Sequence, residues 1–479
     1  MSYEPVIGLE VHVQLDTKSK LFCPASTVFG AEPNRNTSPV SLGLPGSLPV
    51  LNEAALKLAI KVGIALNCHV AERLKFDRKH YFYPDLPKAY QISQYDMPVN
   101  KGGWLDIEVK DEKGVVHNRK IGITRAHLEE DAGKLLHEGI KDGTLVDYNR
   151  AGIPLIEIVS EPDIRTADEA YEYLKALKAI LQYLEVSDCN MEEGSLRCDA
   201  NVSIRKPGAE FGTKTEIKNL NSFRAVQKAI QYEIKRQTEM VENGERVIQE
   251  TRLWNEPKGQ TVKMRSKEEA HDYRYFPEPD LVPFTIARSL VQEIQASLPE
   301  LPAARTERFR KNYDLSHYDA HVLVQEKTLA NYFEACVEKK VSPKLASNWI
   351  QSELMALLNE KKIEIEASPV TPEGMAGLIQ LIEKDTISGK IAKDVLPQMF
   401  ETGRSAEEIV REKGLVQVTD TKLLEEVADR VIAANPSVVQ DFRNGKAQAL
   451  GFLVGQLMKE TKGKANPKLA NQILTQKLS

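Results

Sequence analysis

Cysteine is scarce in this chain. Five thiols in 479 residues (Cys23, Cys68, Cys189, Cys198 and Cys336) form no CxxC pair. That excludes a disulfide scaffold and favours a reducing compartment. Long apolar runs are missing too: no stretch of about 18 apolar residues occurs, so no membrane-spanning helix is expected. The opening MSYEPVIGLEVHVQL lacks a basic region followed by an apolar stretch, and it is neither Arg/Ser-rich nor acid-poor. A cytoplasmic protein without membrane association is therefore expected. Charge of one sign is also absent. Lys+Arg number 64 against 69 Asp+Glu, a net charge of −5, which excludes a surface basic throughout. There is no GxxxxGK[ST] loop, no GxSxG elbow and no kinase HRD or DFG set.

What is present suits a folded protein. Hydrophobic residues make up 42% and charged residues 28%, ordinary values for a globular chain. At about 150 residues per domain, roughly three domains are expected. Up to about residue 290 the pattern is mixed, with much alternation of period two. Leu9 to Leu15 places Glu10, His12 and Gln14 on one strand face and Leu9, Val11, Val13 and Leu15 on the other. Arg197 to Arg205 aligns Arg197, Asp199, Asn201, Ser203 and Arg205, and Lys214, Glu216 and Lys218 form a third such row. Cys198 alternates away from the polar row and is expected in the core.

One long helix interrupts the strands. Thr166 and Glu169 read as a capping box, followed by Ala170, Leu174, Leu177, Leu181 and Leu184 on a helical period. Strands and helices do not alternate regularly, so an α+β fold with a largely antiparallel sheet is expected rather than a doubly wound one. From about 290 to 402 the pattern is helical, with a start at Thr371-Pro372-Glu373 and apolar periodicity from Leu345 to Leu358. Thr402-Gly403-Arg404 breaks the chain, and Ser405 with Glu408 opens another helix. Residues 441–479 hold seven basic residues (Arg443, Lys446, Lys459, Lys462, Lys464, Lys468 and Lys477) against Asp441 and Glu460. This basic tail is either a phosphate-contacting surface or a solvated helix face. No repeat and no low-complexity tract is visible.

Closely spaced acids carry the chemical signal. They are Glu10 beside His12, Glu129-Glu130-Asp131, Glu157 within Pro154-Leu155-Ile156-Glu157-Ile158-Val159, and Glu192-Glu193 followed by Asp199. A carboxylate inside an apolar strand loses hydration unless a cation or donors replace it. Several carboxylates and one imidazole suit Mg²⁺ or Mn²⁺ better than Zn²⁺. The other reading pairs each acid with a nearby Lys or Arg on a solvated sheet face. A metal site without a phosphate loop can still transfer phosphoryl groups if basic side chains neutralise the remaining charge. Lys79, Lys88, Arg125, Arg150 and Arg197 are candidates for that role. Six of the 15 Tyr (Tyr81, Tyr83, Tyr90, Tyr95, Tyr273 and Tyr275) fall in or just after two unusual aromatic runs, His80 to Gln91 and Asp272 to Asp280. Such runs either stack on nucleobases or pack across strands.

Long blocks of the chain are also familiar. They include Val6-Ile7-Gly8-Leu9-Glu10-Val11-His12-Val13-Gln14, Lys75-Phe76-Asp77-Arg78-Lys79, Tyr81-Phe82-Tyr83-Pro84-Asp85, Lys88-Ala89-Tyr90-Gln91-Ile92-Ser93-Gln94 and His127-Leu128-Glu129-Glu130-Asp131-Ala132-Gly133-Lys134. Met191-Glu192-Glu193-Gly194-Ser195-Leu196-Arg197-Cys198-Asp199, Asp272-Tyr273-Arg274-Tyr275-Phe276-Pro277-Glu278-Pro279-Asp280, Gly445-Lys446, Gly451-Phe452-Leu453-Val454-Gly455-Gln456 and Asn466-Pro467 follow in the same order. Together they resemble the B subunits of the bacterial aspartyl/glutamyl-tRNA amidotransferases. The resemblance implies a glutamine-synthetase-like cradle domain over residues 1–292, a helical domain over 293–402 and a tRNA-binding helical tail over 403–479.

It also implies a ligase that amidates misacylated Glu-tRNA(Gln) or Asp-tRNA(Asn) using ATP, with glutamine as nitrogen donor. The partners it implies are the glutaminase of the same amidotransferase, its small third polypeptide, misacylated tRNA and the cognate non-discriminating aminoacyl-tRNA synthetase. By resemblance, Glu10, His12, Glu129 and Glu157 bind Mg²⁺, or Mn²⁺ in its place. Glu129 also deprotonates ammonium where an ammonia tunnel ends, and Lys79, Lys88 and Arg150 assist catalysis. Tyr81, Arg125, Arg197, Glu193 and Asp199 are expected to contact the nucleotide, with Glu192 nearby. Relatives with a structural zinc carry CxC near residue 23 and CPxC near residue 38. This chain has Cys23-Pro24-Ala25 and Ser38-Pro39-Val40-Ser41, one thiol of four, so no structural zinc is expected. A non-catalytic tRNA-binding scaffold and a metal-dependent phosphohydrolase are the competing functional classes.

Overall fold

The computed structural model describes residues 3–111, 113–136, 143–264, 273–415, 421–444, 446, 448–461 and 465–478. Asp272, Gly445, Lys462 and Lys464, all noted in the sequence, lie outside the described residues. The chain forms two compact units, residues 1–302 and 303–479.

The first unit is built on a ten-stranded sheet. Its strands are β1 (Glu4–Gln14), β2 (His69–Val70), β3 (Asn100–Lys101), β4 (Trp104–Lys110), β5 (Val116–Glu130), β6 (Pro154–Ser160), β7 (Leu196–Arg205), β8 (Thr215–Lys218), β9 (Glu250–Asn255) and β10 (Gln260–Lys263). They run in the order β10-β9-β8-β7-β1-β6-β5-β3-β2, with β4 paired to β5. Every pair is antiparallel except β8 with β9. The α+β, mostly antiparallel expectation therefore holds, with that one parallel pair as the exception.

Period-two alternation decides what each face buries. On β1, Leu9, Val11 and Val13 are fully buried, while Glu10, His12 and Gln14 face the other way and stay partly accessible. The apolar face packs beneath α1 (Glu53–Ala65), α2 (Ala167–Tyr183) and α3 (Phe223–Glu242) in one core that includes Val11, Ile156, Ile158, Leu174, Leu181 and Ile230. Cys198 joins this core, as its place in the alternation requires. Thr166 caps α2 by accepting from the Glu169 backbone N–H at 3.1 Å. The reciprocal half of the expected capping box is absent. The Glu169 carboxylate accepts from the Arg165 N–H instead and from Arg119, so a tertiary ion pair outcompetes the local bond.

The second unit is helical. Thr371 caps the helix Pro372–Glu383, and Ser405 with Glu408 forms a complete capping box at Ala406–Glu412. The periodic stretch from Leu345 to Leu358 is not one regular α-helix, because a π-turn at Ile350–Leu354 divides it. The last four helices, Thr421–Ala434, Pro436–Arg443, Gln448–Glu460 and Pro467–Leu478, close around Leu424, Val431, Leu453, Leu457 and Leu474. Of the basic tail residues, Lys446 pairs with Asp441 and Lys477 with Asp429, while Arg443, Lys459 and Lys468 are exposed. Among the described residues no helix is long and apolar enough to cross a membrane.

Candidate active site and metal centre

The polar face of the sheet places its charges by strand register. His12 on β1 lies opposite Glu157 on β6 and Arg197 on β7. Glu157 in turn lies opposite His127 on β5. Because β5 alternates, Arg125, His127 and Glu129 share one face. The result is a cluster in which His12 Nε2 is 3.6 Å from both Glu129 Oε1 and Glu157 Oε2. His127 Nε2 adds contacts of 3.4 Å to Glu157 and 3.7 Å to Glu129.

One donor atom each from His12, Glu129 and Glu157 lies within 4.8 Å of the others, which suits a shared cation. Mg²⁺ takes oxygen ligands at about 2.0–2.1 Å, so donors separated in this way can surround one ion after small side-chain adjustments. His127 Nδ1 and Arg125 Nε are buried without hydrogen-bond partners. Buried polar atoms are rarely left unpaired, so these two leave the face incomplete as the chain alone builds it.

The electrostatics favour charged carboxylates. Burial by itself would raise Glu157, but His127 and His12 more than offset it and hold the carboxyl far below its usual range. Glu129 is lowered in the same way, against burial, by His127, Lys79 and His12. Burial pushes the His12 imidazole down, yet Glu157 and Glu129 carry it above its usual value. Lys79, held over the Tyr273 ring at 4.9 Å, is raised despite burial by Glu129 and by the surrounding tyrosines.

Other residues expected at the site occupy distinct places. Glu10 sits one alternation step from His12, accepts from Asn201 Nδ2 at 2.9 Å and lies outside the three-residue cluster. Burial and the charges of Glu157, Glu216 and Asp199 push its carboxyl up. Lys88 pairs with Glu130 rather than with the cluster. Arg197 Nη2 donates to Asp131 Oδ1 at 2.9 Å, and Arg150 Nε stands 3.7 Å from Asp131 Oδ2. Arg150 also donates to the carbonyls of Ala132 and Gly133. Asp199 bonds Lys218 Nζ at 2.8 Å. Tyr81 stands edge-on to Tyr273, and Tyr95 stacks on Tyr275 with ring centres 4.4 Å apart. Glu192 and Glu193 lie in an exposed loop after Asn190, off the sheet face. Cys23 is buried, and Ser38 and Ser41 bond each other.

The residue that sequence reading did not single out is His127. The signal was available: Arg125-Ala126-His127-Leu128-Glu129 alternates as Glu10-Val11-His12 does.

Comparison with known proteins supports one family. The family model described as the GatB/GatE catalytic domain matches residues 5–292, and the one described as the GatB domain matches residues 331–478. The chain therefore belongs to the GatB family. More particularly, it is 59% identical to the B subunit of the aspartyl/glutamyl-tRNA(Asn/Gln) amidotransferase of Carboxydothermus hydrogenoformans, over 100% of this chain and 99% of that protein. The same-named proteins of Thermoanaerobacter pseudethanolicus and Acaryochloris marina are 58% and 53% identical, over 100% and 99% of this chain and 100% and 98% of theirs.

Proposed function

We propose that this chain is the B subunit of a tRNA-dependent amidotransferase. In this reading it amidates the side-chain carboxylate of glutamate or aspartate esterified to the wrong tRNA. The observation that carries the reading is the His12–Glu129–Glu157 cluster, its two carboxylates buried, on the polar sheet face of a chain that belongs to this family.

A carboxylate is a poor acyl donor because its leaving group would be oxide. Its oxygen attacks the terminal phosphorus of ATP, giving an acyl phosphate and ADP. Neutral ammonia then attacks the acyl carbon, phosphate leaves, and Gln-tRNA(Gln) or Asn-tRNA(Asn) results. His12, Glu129 and Glu157 would hold Mg²⁺ or Mn²⁺. A divalent ion there supplies positive charge against the repulsion between two anions. Lys79 adds fixed positive charge from the chain itself, and the ionised Glu129 accepts the proton that ammonium must lose. Arg150 and Arg197, both tied to Asp131, would add further positive charge near the cluster.

The glutamine-synthetase-like cradle implied by resemblance belongs to this reading. So do a glutaminase partner that supplies ammonia from glutamine, a small third polypeptide, the cognate synthetase as a tRNA donor, and a cytoplasmic location. Glu129→Gln in the assembled enzyme tests the proposal. Amide formation should fall by about 100-fold or more, the scale of one lost electrostatic or acid–base contribution, with tRNA binding unchanged. Surviving amide formation with normal tRNA binding would favour a non-catalytic scaffold. Phosphate release from ATP without tRNA or partners would favour a phosphohydrolase.

A further inference from the structure

Exposed apolar side chains gather on one loop of the first unit. Residues 24–50 display Val28, Phe29, Leu44, Leu48 and Val50, each between 49% and 72% exposed. The same stretch holds two charged side chains, Glu32 and Arg35, in a chain that is 28% charged. Isolated apolar residues on a surface are ordinary, but several together mark an interaction site. Depletion of charge is the compositional mark of the core of a protein–protein interface.

Residues 27–50 contain no helix or strand, yet the loop is firmly tied down. The Asn34 side chain accepts from the Tyr148 N–H at 2.8 Å, and the Asn34 N–H donates to Asp147 Oδ1 at 2.9 Å. The Asn36 N–H donates to Asn149 Oδ1 at 2.7 Å, and the Asn149 amide donates to the Glu32 carbonyl at 2.8 Å. The buried amine of Lys20 donates to the Asn36 carbonyl. Further along, the Leu44 N–H bonds the Pro39 carbonyl at 2.9 Å and the Val50 N–H bonds the Phe22 carbonyl at 3.0 Å. A loop fixed in this way needs little further ordering when a partner binds.

The inner side of the loop borders the site. A Cβ on Gly43, whose φ is +68°, would meet Lys88 Cγ at 2.6 Å, so the loop backbone lies directly on Lys88. Lys88 is paired with Glu130, the residue after Glu129. A Cβ on Gly152 would meet Ser41 Cβ at 3.6 Å and Glu130 Oε2 at 3.8 Å, so Ser41 and Glu130 flank the same glycine.

RNA and protein compete as occupants of such a surface. RNA needs cations for its phosphates, and Arg35 offset by Glu32 gives the loop no net positive charge. A polypeptide needs apolar anchors, which the loop supplies. Ammonia must also reach Glu129 uncharged, and a joint sealed against water beside that residue keeps it so.

We propose that the loop of residues 24–50 is the docking surface for the ammonia-supplying polypeptide, with Phe29 and Leu48 as anchors. The inference rests on the ligase reading above and adds the surface on which that partner seats.

The test uses the full-length chain carrying Phe29→Asp, the milder Phe29→Ser, or Leu48→Asp, assembled with the glutaminase and the small third polypeptide. Sedimentation velocity across a dilution series reads assembly. Amide formation is measured with glutamine and separately with saturating ammonium chloride. The two Asp variants should weaken association with the glutaminase roughly tenfold or more, the scale of one interface anchor, and Phe29→Ser should weaken it less. Glutamine-dependent amide formation at limiting glutaminase should fall with association. Amide formation from ammonium chloride and tRNA binding should stay within about twofold, which also shows that the variants fold. Unchanged association in all three variants would overturn the proposal. So would weakened tRNA binding with association intact, which would give the loop to tRNA. If the unmodified complex formed no amide from either nitrogen source, the ligase reading would fail, and the sedimentation result would still decide the docking surface.

Discussion

Replacing Glu157 by Gln distinguishes a metal ligand from a carboxylate that braces the sheet. Gln keeps the volume and removes the charge. Among the described residues Glu157 has no Lys or Arg within ion-pair distance; its close neighbours are the imidazoles of His127 and His12, at 3.4 and 3.6 Å. Breaking a buried pair and stranding its partner costs about 3–5 kcal/mol. Here the partners are imidazoles rather than fixed cations, so the metal-free variant should lose less than that.

The larger effect should fall on stabilisation by metal. An ion at 100 times its dissociation constant stabilises a fold by about 2.7 kcal/mol, or roughly 5 °C in melting temperature for a unit of this size. If the variant binds about 100-fold more weakly, the scale of disturbing a metal site, the same ion concentration leaves only about 0.4 kcal/mol. Scanning calorimetry of both proteins, after EDTA treatment and again with Mn²⁺, measures each term. A full Mn²⁺ shift in Glu157→Gln, or a metal-free loss of about 3 kcal/mol or more, would refute the reasoning.

Further outcomes follow from other contacts. Arg197→Met should destabilise the protein by about 3 kcal/mol at pH 7, because buried Asp131 would lose its closest cation and keep the longer Arg150 contact, Gln14 and the Ala132 N–H. Burial would raise Asp131, but Arg197 and Arg150 hold it below its usual range. Its stabilisation is therefore complete above about pH 4 and lost as pH falls through the depressed folded value. Urea titrations should show acid unfolding of the variant beginning at higher pH.

Lys20 is buried, donates to the Asn36 and Tyr148 carbonyls, and burial pushes its amine down to about 8. Its folded value lies below its unfolded one, so stability gains about 3 kcal/mol from this group as pH rises from about 8 to 10.5. Denaturant midpoints across that range should rise less steeply in Lys20→Met. Removing residues 421–479, whose helices form their own hydrophobic cluster, should weaken tRNA binding while glutamine hydrolysis by the complex persists. Filter binding and a glutaminase assay separate these effects.

Much of the site was legible because strand periodicity is local. Alternation in Leu9 to Leu15 and Arg197 to Arg205 correctly placed His12 and Asp199 on a polar face and Cys198 in the core. Which strands become neighbours is settled by long-range pairing, which no local pattern encodes. Hence Glu157 could be recognised as a costly buried acid, but not as the partner of His127, 30 positions earlier in the sequence. Register likewise set Glu10 opposite Asp199 and Val159, within reach of the Asn201 amide, and left it outside the cluster. Arg150, Arg197 and Lys88 read as open cations in the sequence, yet Asp131 and Glu130 engage them once the chain folds. The π-turn at Ile350–Leu354 leaves apolar spacing nearly unchanged, so periodicity alone did not reveal it.

The most direct measurement is an anomalous difference map from crystals soaked in Mn²⁺ and a non-hydrolysable ATP analogue. The account predicts one strong peak bounded by His12, Glu129 and Glu157. A map with no peak there, or with manganese bound only elsewhere, would contradict it.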